Sequence, residues 1–598
     1  MAKIAYIDGM RWHRALIAGA NNVLSRQEYL NKINVFPVPD GDTGTNMAFT
    51  LTAIIESTMN KIHPNADQML AYFADAALDG ARGNSGVILA QFFQGLSDGS
   101  VGIEKMTPEK FAIALEYGSK YARQALATPQ EGTILTIITD FSNHIIKLIS
   151  TNDYDFETLL QLGIKEAEKS LKNTPNLLPI LKKSGVVDAG AQGFVDLLNG
   201  ILHYINNGNL KDFDNVAPNK KININHQNND VEFAKSKFRF CTECLVKGNK
   251  IDHKKIREAL QEYGDSLVIA GSRTKTKLHI HTNNTLAVFN ICKKFGILSG
   301  EKADDMWKQQ KTKKTNSTIA IVTDSGADIP DEIDLDIHIV PVRYNFGSNR
   351  YIDKISQSPK EFYHELETNS NHPQTSQPTP GDFRRQYQYL QSHYDSIISI
   401  HIPKNMSGTY QSALNASKYI NNATISIKDG FSASVGLGLI VMKIAKLVTD
   451  GKSFNEINDK FNDIVTSTSL YVVVNDLNYI VKGGRLPKWV KNIADFFHFR
   501  PIMTTKTNGK MGAAGIIKGK KNLTKKLGKF ILNKLDNNKS YDISIGHCNV
   551  LNNGEKLKSI IQNSHKNIND LYLIDMGCAL GVHAGPGSLS IAIQTKEL

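Results

Sequence analysis

No stretch of about 18 uncharged apolar residues occurs in the chain, so a membrane-spanning helix is not expected. The first residues, MAKIAYIDGMRWHRAL, lack the continuous apolar segment of a secretory leader. Cysteine is scarce: five in 598 residues, an odd number that makes no disulfide framework. Aromatics are 8% of the chain and no basic stripe is interleaved with them, so nucleic-acid binding is not expected. There is no internal repeat and no long low-complexity tract. These absences point to a cytoplasmic protein. What is present is ordinary for a globular chain: 41% hydrophobic and 21% charged residues, which excludes a disordered tail or a fibre. The length allows several domains.

The net charge of +12 comes with abundant Lys and Asn throughout, a compositional bias rather than a binding stripe. One cluster stands out, KGKKNLTKKLGK from Lys518 to Lys529. It reads as a solvated helix face or as a surface attracted to anionic lipid.

Two polar segments look like linkers, residues 206–236 and 311–317, and they leave blocks 1–205, 237–310 and 318–598. The first block is helix-like. ADQMLAYFADAALDGAR and PEKFAIALEYGSKYARQAL carry apolar residues at i, i+3, i+4 spacing, which predicts an all-α bundle with functional loops. In the middle block, FRFCTECLVKG, DSLVIAGS and KTKLHIHTN read as strands and KKIREALQEYG as a helix, a small α+β unit. The third block alternates strands (TIAIVTDSG, DIHIVPVRYNF, SIISIHI, LYVVVNDL) with helices such as PKEFYHELETN. That alternation predicts an α/β domain with sites at the carboxyl ends of strands.

The densest motif of the first block is NVFPVPDGDTGTNM, Asn34 to Met47. Asp40 and Asp42 flank one glycine, and two carboxylates this close repel unless a cation sits between them. Hard oxygen donors in a tight turn suit Mg²⁺; an Asx-turn in a surface loop is the bland alternative. DGARGNSGVILAQ brackets Arg82, Asn84 and Ser85 with glycines and leads into an apolar helix. It makes either an anion cradle of backbone N–H groups or a helix cap at Ser85. EGTILT (Glu131–Thr136) and SGVVDAGAQGF (Ser184–Phe194), with Asp188 at the centre of the second, add two further Gly-rich loops. Capping alone does not account for four such loops in one helical domain.

On these four motifs, in order over about 200 residues, the first block resembles the nucleotide-binding domain of dihydroxyacetone kinases in their fatty acid kinase branch. The resemblance implies a helical barrel whose loops hold ATP and two Mg²⁺. Asn34, Asp40 and Asp42 would hold the metals. Thr43, Gly44, Asn46, Asn84, Ser85, Gly86, Thr133 and Asp188 would lie around the nucleotide. Polyol kinases supply a third carboxylate just upstream; here the nearest polar residue is Asn34, which argues against a plain polyol kinase.

In FRFCTECLV, alternation puts Cys241 and Glu243 on one strand face and Cys244 on the other; in KLHIHT, His279 and His281 share a face. Two His on one strand and a Cys on another can converge on tetrahedral zinc, with water, substrate or Glu243 in fourth place. The alternative is a buried thiol beside two polar-face histidines. The block resembles the middle domain of fatty acid kinases, which implies Zn²⁺ at Cys241, His279 and His281. Cys292 and Cys578 read as packed thiols.

Five signatures follow in the third block: TDSGADIP (Thr323–Pro330), PQTSQPTP (Pro373–Pro380), MSGTYQSA (Met406–Ala413), KGGRLP (Lys482–Pro487) and GVHAGPGSL (Gly581–Leu589). Small, hydroxyl and Gly residues at strand ends let a polar head group reach backbone N–H groups, and Arg485 and His583 suit a carboxylate or phosphate. The block resembles the DegV family of fatty-acid-binding proteins. That implies a two-part α/β domain with one acyl chain in an apolar tunnel. Thr375, Ser376 and Ser407, with Gly408, would hold the carboxylate; Arg485 and His583, with Gly585, would face the phosphorylated head group and take part in catalysis beside Asp40 and Asp42. The family's usual D-S-T-A-D reads DSGAD here, with Gly326.

The resemblances together imply a kinase fused to its own fatty acid carrier, acting as a homodimer with ATP, Mg²⁺ and Zn²⁺, and making transient contact with a membrane surface or an acyltransferase. A polyol-type kinase with a DegV lipid sensor and a non-catalytic lipid-binding regulator are the alternatives.

Overall fold

A computed structural model of the chain describes residues 4–37, 39, 41–126, 128–207, 237–307, 317–391, 393–420, 423–484, 486–506, 508–519 and 522–596. Asp40, Arg485, Lys520, Lys521 and nearly all of both expected linkers lie outside the described residues. The chain divides into two compact units, residues 1–310 and 311–598. No described helix is long and apolar enough to cross a membrane.

The first unit opens with ten helices: α1 (Gly9–Ser25), α2 (Gln27–Lys32), α3 (Thr43–Thr58), α4 (Ala66–Gly80), α5 (Gly83–Asp98), α6 (Pro108–Ala125), α7 (Ile134–Thr151), α8 (Phe156–Leu177), α9 (Pro179–Ser184) and α10 (Ala189–Asn207). Their boundaries follow local chemistry. The Thr107 side chain accepts a hydrogen bond from Lys110 N at the start of α6, with Pro108 inside the first turn, and Asp155 does the same for α8. The longer helices bury apolar stripes in one core whose aromatic centre has Phe194 meeting Phe92 and Phe141 edge to face.

A four-stranded antiparallel sheet of order β2-β3-β1-β4 completes this unit, from β1 (Phe240–Lys247), β2 (Gly264–Gly271), β3 (Lys275–Thr282) and β4 (Ile297–Asp305), with α11 (His253–Leu260) and α12 (Thr285–Lys293). The sheet packs on the helices: Val268 and Ala270 of β2 join the helical core, and Gly271 N donates to Gln91 Oε1 at 2.6 Å. Strand β4, polar in sequence, is a fourth strand beyond the three expected, made by pairing with β1.

Among the described residues the second unit holds three sheets. β5 (Ile319–Asp324), β6 (Ile337–Val340), β10 (Ser396–His401) and β11 (Thr424–Asp429) form a parallel sheet of order β11-β10-β5-β6. β7 (Arg343–Phe346), β8 (Asn349–Ile352) and β9 (Gln374–Ser376) form an antiparallel one. β12 (Thr468–Val473), β13 (Phe499–Thr505), β14 (Met511–Lys518), β15 (Tyr541–His547), β16 (Ile568–Asp575) and β17 (Leu589–Thr595) form a mixed six-stranded sheet. The segment DIHIVPVRYNF, read as one strand, is two: Pro341 lies between β6 and β7, because proline has no N–H for the ladder.

The helices of this unit are α13 (Pro359–Thr368), α14 (Pro380–Leu390), α15 (Thr409–Ser417), α16 (Ser434–Thr449), α17 (Phe454–Thr466), α18 (Leu477–Lys482), α19 (Lys488–Phe496), α20 (Leu523–Leu532), α21 (Leu551–Ser564) and α22 (Cys578–Ala584). Apolar on nearly every side, α16 packs between β5 of the parallel sheet and β12, β15 and β17 of the mixed one, and so joins the two halves. The basic cluster ends in α20, which buries Leu527 and Ile531 and exposes Lys525, Lys526 and Lys529, a solvated amphipathic face. Cys292 and Cys578 are buried, packed thiols.

Candidate functional site

In the first unit the Gly-rich loops are helix starts, and they face the sheet. Asp42 holds the N-cap position of α3, and Gly83 is the first residue of α5. Asn34, Asp42, Thr43, Asn46, Gly83, Asn84 and Ser85 line one cleft with Cys241, Glu243, His279, His281, Lys302 and Asp304. Its volume is about 540 Å³ counting the solvent at its mouth. Gly44 and Gly86 do not line it. They let α3 approach the Gln27 carbonyl and α5 approach Thr50, where an added Cβ would sit 2.2 and 2.5 Å away.

Two more helix starts join the first pair. Thr133 caps α7, accepting from Leu135 N, and donates to the Gln130 carbonyl at 2.8 Å. Asp188 accepts from Ala191 N at 2.8 Å, and from the backbone N–H groups of Gly190 and Ile134, so one carboxylate ties the starts of α10 and α7. Burial raises this carboxyl to about 6, against the pull of those N–H donors. A Cβ on Gly190 would lie 3.1 Å from Ser85 Oγ, which places the α5 start beside the other two. Helix N-termini gathered in this way bring their positive dipole ends together, a setting for phosphate.

The sheet contributes a grid of side chains. Across β1–β3, Cys241 faces His281 and Glu243 faces His279; across β1–β4, Cys241 faces Asp304 and Glu243 faces Lys302. The two-residue period puts all six on one face. Cys241, His279 and His281 offer donor atoms within 4.8 Å of one another. His279 Nδ1 lies 3.6 Å from Cys241 Sγ and 3.4 Å from Glu243 Oε1, and its buried Nε2 has no hydrogen-bond partner among the described residues. Burial lowers the His279 pKa and keeps the ring neutral, the form that binds a cation. Burial and then the Glu243 charge push the Cys241 thiol well above its usual range, so a cation there must displace its proton. Two imidazole nitrogens and a thiolate are a donor set that fits zinc with an open fourth position.

Glu243 does not join that cluster. It is fully buried and faces the loop: Gly83 N donates to its Oε1 at 2.9 Å, while Lys277 Nζ and Arg82 Nη1 lie 3.3 and 3.7 Å from its Oε2. Burial alone would raise this carboxyl; the charges of Lys277, Lys302 and Arg82 hold it well below the usual range. Burial pulls Lys277 down to about 8 in spite of that partner.

In the second unit the signatures are brought together by packing. Thr375 and Ser376 lie on β9, opposite Tyr344 and Arg343 of β7. Ser407 precedes α15, sharing a 2.8 Å hydroxyl contact with Thr409, and a Cβ on Gly408 would lie 2.2 Å from Gln377 Oε1. His583 sits in the last turn of α22, so close to Gly483 that an added Cβ would be 2.1 Å from its Nδ1; Gly585 caps that helix. α22 packs on β9 and α18. Its start is held by carboxylates: Gly577 N donates to Asp328 Oδ1 and Cys578 N to Asp353 Oδ1, each at 2.9 Å. Asp328 belongs to DSGAD. In that loop Gly326 N donates to Asp324 Oδ1 at 2.9 Å, and a Cβ on Gly326 would stand 2.7 Å from the same oxygen, so a threonine there would have to displace Asp324. Asp324 also meets His401 Nδ1 at 3.0 Å, and His401 Nε2 meets Ser399 Oγ at 2.7 Å. This Ser-His-Asp relay has the connectivity of a hydrolase triad, but all three residues are fully buried, so it fixes the loop.

Residues 37–203 match the DAK2 domain family, residues 237–313 the FakA-like middle domain of fatty acid kinases, and residues 318–596 the DegV protein family. The chain unites these three domains. An uncharacterized protein of Staphylococcus saprophyticus is 34% identical over 315 residues, covering 52% of this chain and 57% of that protein. One of Staphylococcus haemolyticus is 33% identical over 319 residues, covering 52% and 57%. The chain thus spans little more than half the length of these curated relatives. Among solved structures, DegV of Bacillus subtilis, a fatty acid binding protein, is 26% identical with a TM-score of 0.44, covering 47% of this chain and 100% of that one. The Streptococcus pneumoniae fatty acid kinase B3 protein loaded with linoleic acid is 20% identical with a TM-score of 0.42, covering 46% and 99%. In the middle domain, Lys277, Lys302 and Asp304 escape sequence reasoning. Lys302 and Asp304 do alternate in SGEKADD, but without apolar partners the period is invisible.

Proposed function

We propose that this chain transfers the γ-phosphoryl group of ATP to a fatty acid carboxylate, giving an acyl phosphate and ADP, with carrier and kinase in one polypeptide. Residues 1–205 are the kinase domain, 237–310 the zinc domain and 318–598 the acyl carrier, joined through 206–236 and 311–317. The observation that carries the reading is the cleft in which the DAK2 helix starts and Asp42 face the Cys241–His279–His281 cluster.

Phosphoryl transfer is mostly positioning and charge stabilisation. The starts of α3, α5, α7 and α10 orient the phosphates; Asp40 and Asp42 would hold Mg²⁺, and Cys241, His279 and His281 would hold Zn²⁺. Such cations supply neutralisation of developing phosphate charge. The acceptor carboxylate is already ionised at neutral pH and needs no general base. In the DegV domain Thr375, Ser376 and Ser407 hold that carboxylate, and Arg485 and His583 face the phosphorylated head. Hiding the acyl tail contributes about 0.8 kcal/mol per buried CH₂.

Contact with a membrane surface is supported by α19, where Trp489, Ile493 and Phe496 are exposed at helical spacing beside Lys488 and Lys491. Homodimerisation and a cytoplasmic location complete the reading.

The test is hydroxylamine trapping of acyl phosphate from the intact chain supplied with ATP, Mg²⁺, Zn²⁺ and fatty acid. Hydroxamate should form, and Asp42→Ala should abolish it while co-purifying lipid remains. No hydroxamate from the metal-loaded chain would overturn the reaction, and near-normal turnover of Asp42→Ala would overturn the metal assignment.

A further inference from the structure

The loop that begins α5 has no side-chain cap of its own: Arg82 occupies the N-cap position and makes no side-chain cap hydrogen bond. The carboxylate that accepts its first N–H comes from Glu243, 160 residues away on β1 of the middle domain. Glu243 Oε1 is shared. It lies 2.9 Å from Gly83 N and 3.4 Å from His279 Nδ1. An imidazole that gives one nitrogen to a carboxylate has its other nitrogen for a cation, and such carboxylates fix the ring's orientation and basicity. Here the buried Nε2 of His279, without a hydrogen-bond partner among the described residues, is that other nitrogen, while Nδ1 stands between Glu243 and the Cys241 thiol, 3.6 Å from Sγ. The same oxygen therefore positions a metal-binding ring and the first turn of a nucleotide-binding helix.

We infer that Glu243 is a positioning residue that couples cation occupancy at Cys241, His279 and His281 to nucleotide affinity at the Gly83–Gly86 helix start. This rests on the kinase reading given above. When a cation orients the His279 ring, Glu243 is held in register with Gly83, and the helix start is in place before the phosphates arrive. When the cation leaves, the ring and the carboxylate reorient together and the helix start loosens. Linkage makes the effect reciprocal: nucleotide must tighten the cation by the same factor. Lys277 and Arg82 keep Glu243 charged in both states, so the coupling runs through position.

Asp265 provides the comparison. Its Oδ1 lies 3.4 Å from Nδ1 of His281 and its side chain is more than half exposed, so it supports a ligand without touching the loop.

The experiment is calorimetric titration of the full chain with MgADP, in zinc-loaded and chelator-stripped form, and with Zn²⁺ in the presence and absence of MgADP. In the unmutated chain, stripping zinc should weaken MgADP about tenfold, within the usual range of coupling free energies, and omitting MgADP should weaken Zn²⁺ equally. Glu243→Gln should shrink both factors to within about twofold, whereas Asp265→Asn should lower zinc affinity and keep the coupling. Glu243→Asp, one methylene shorter, should lose the coupling as well and serves if Glu243→Gln does not fold. MgADP affinity indifferent to zinc in the unmutated chain would overturn the inference and leave the kinase reading standing. Full coupling in the Glu243 variants would also overturn it. No MgADP binding in either zinc state would overturn the kinase reading, and this inference with it.

Discussion

Replacing Gly83 by alanine perturbs the first turn of α5 in two separable ways. Its φ is +54°, a left-handed conformation that an L side chain adopts at about 1–2 kcal/mol. An added Cβ would also stand 2.3 Å from Asn46 Nδ2, so either Asn46 swings out of the cleft or Gly83 moves off Glu243. The second outcome loses a buried hydrogen bond to a charged acceptor, about 1.5–3 kcal/mol. Gly102 isolates the first term: its φ is +78° and, among the described residues, nothing lies within 4 Å of an added Cβ. Gly102→Ala should therefore lose about 1–2 kcal/mol and Gly83→Ala about 2.5–5 kcal/mol. At roughly 2–3 °C per kcal/mol for a unit of this size, that is roughly 2–6 °C against 5–15 °C. The assay is thermal unfolding of the full chain followed by near-UV circular dichroism, with a parallel MgADP titration. Gly83→Ala should also weaken MgADP about tenfold or more, the equivalent of 1.4 kcal/mol or more; Gly102→Ala should leave it alone. Equal losses in the two variants, with MgADP affinity unchanged, would mean that Asn46 yields and the Gly83–Glu243 bond survives, and would refute the expectation that Gly83 moves off Glu243.

Three further outcomes are expected. Cys241→Ser and His281→Ala should each lower zinc content measured by plasma mass spectrometry, and an unmutated chain free of zinc after growth in zinc-replete medium would end that assignment. Ser407→Ala should lose a charge-assisted bond to the bound carboxylate, about 1.5–3 kcal/mol or roughly 10- to 150-fold in fatty acid affinity; unchanged affinity refutes the placement. Burial would raise the Asp382 carboxyl, but Arg343 at 2.6 and 3.0 Å, with Arg385, holds it far below the usual range. The unfolded chain then binds the proton first, so this contribution is present above about pH 4 and fades as the pH falls below it. Urea unfolding between pH 7 and pH 2.5 should show Asp382→Asn less stable at neutral pH, with the gap to the unmutated chain narrowing steadily below about pH 4; curves that stay parallel down to pH 2.5 would refute the ion-pair account.

Local patterning along the chain determined much of this protein. Apolar residues at helical spacing fixed α4 and α6, alternation fixed β1 and β3, and the same two-residue period placed Cys241 with Glu243 and His279 with His281 on shared faces. The Gly-rich motifs marked where helices begin, because turn geometry and capping depend on residues within one turn of each other. What each start faces is a different matter. Nothing near Gly83 in the chain specifies Glu243, nothing near Ser85 specifies Gly190, and nothing near Gly483 specifies His583; only packing sets these neighbours. Strand β4 shows the same divide: ILSGEKADD carries too little apolar pattern to declare itself, and pairing with β1 makes it a strand that delivers Lys302 and Asp304. Gly326 reads in sequence as a missing hydroxyl and in three dimensions as the residue that spares Asp324 a clash. Helix and strand periods arise from interactions a few residues long, and a sequence displays them directly. The convergence of side chains far apart in the chain depends on how buried surfaces fit, and that is a property of the whole packed unit.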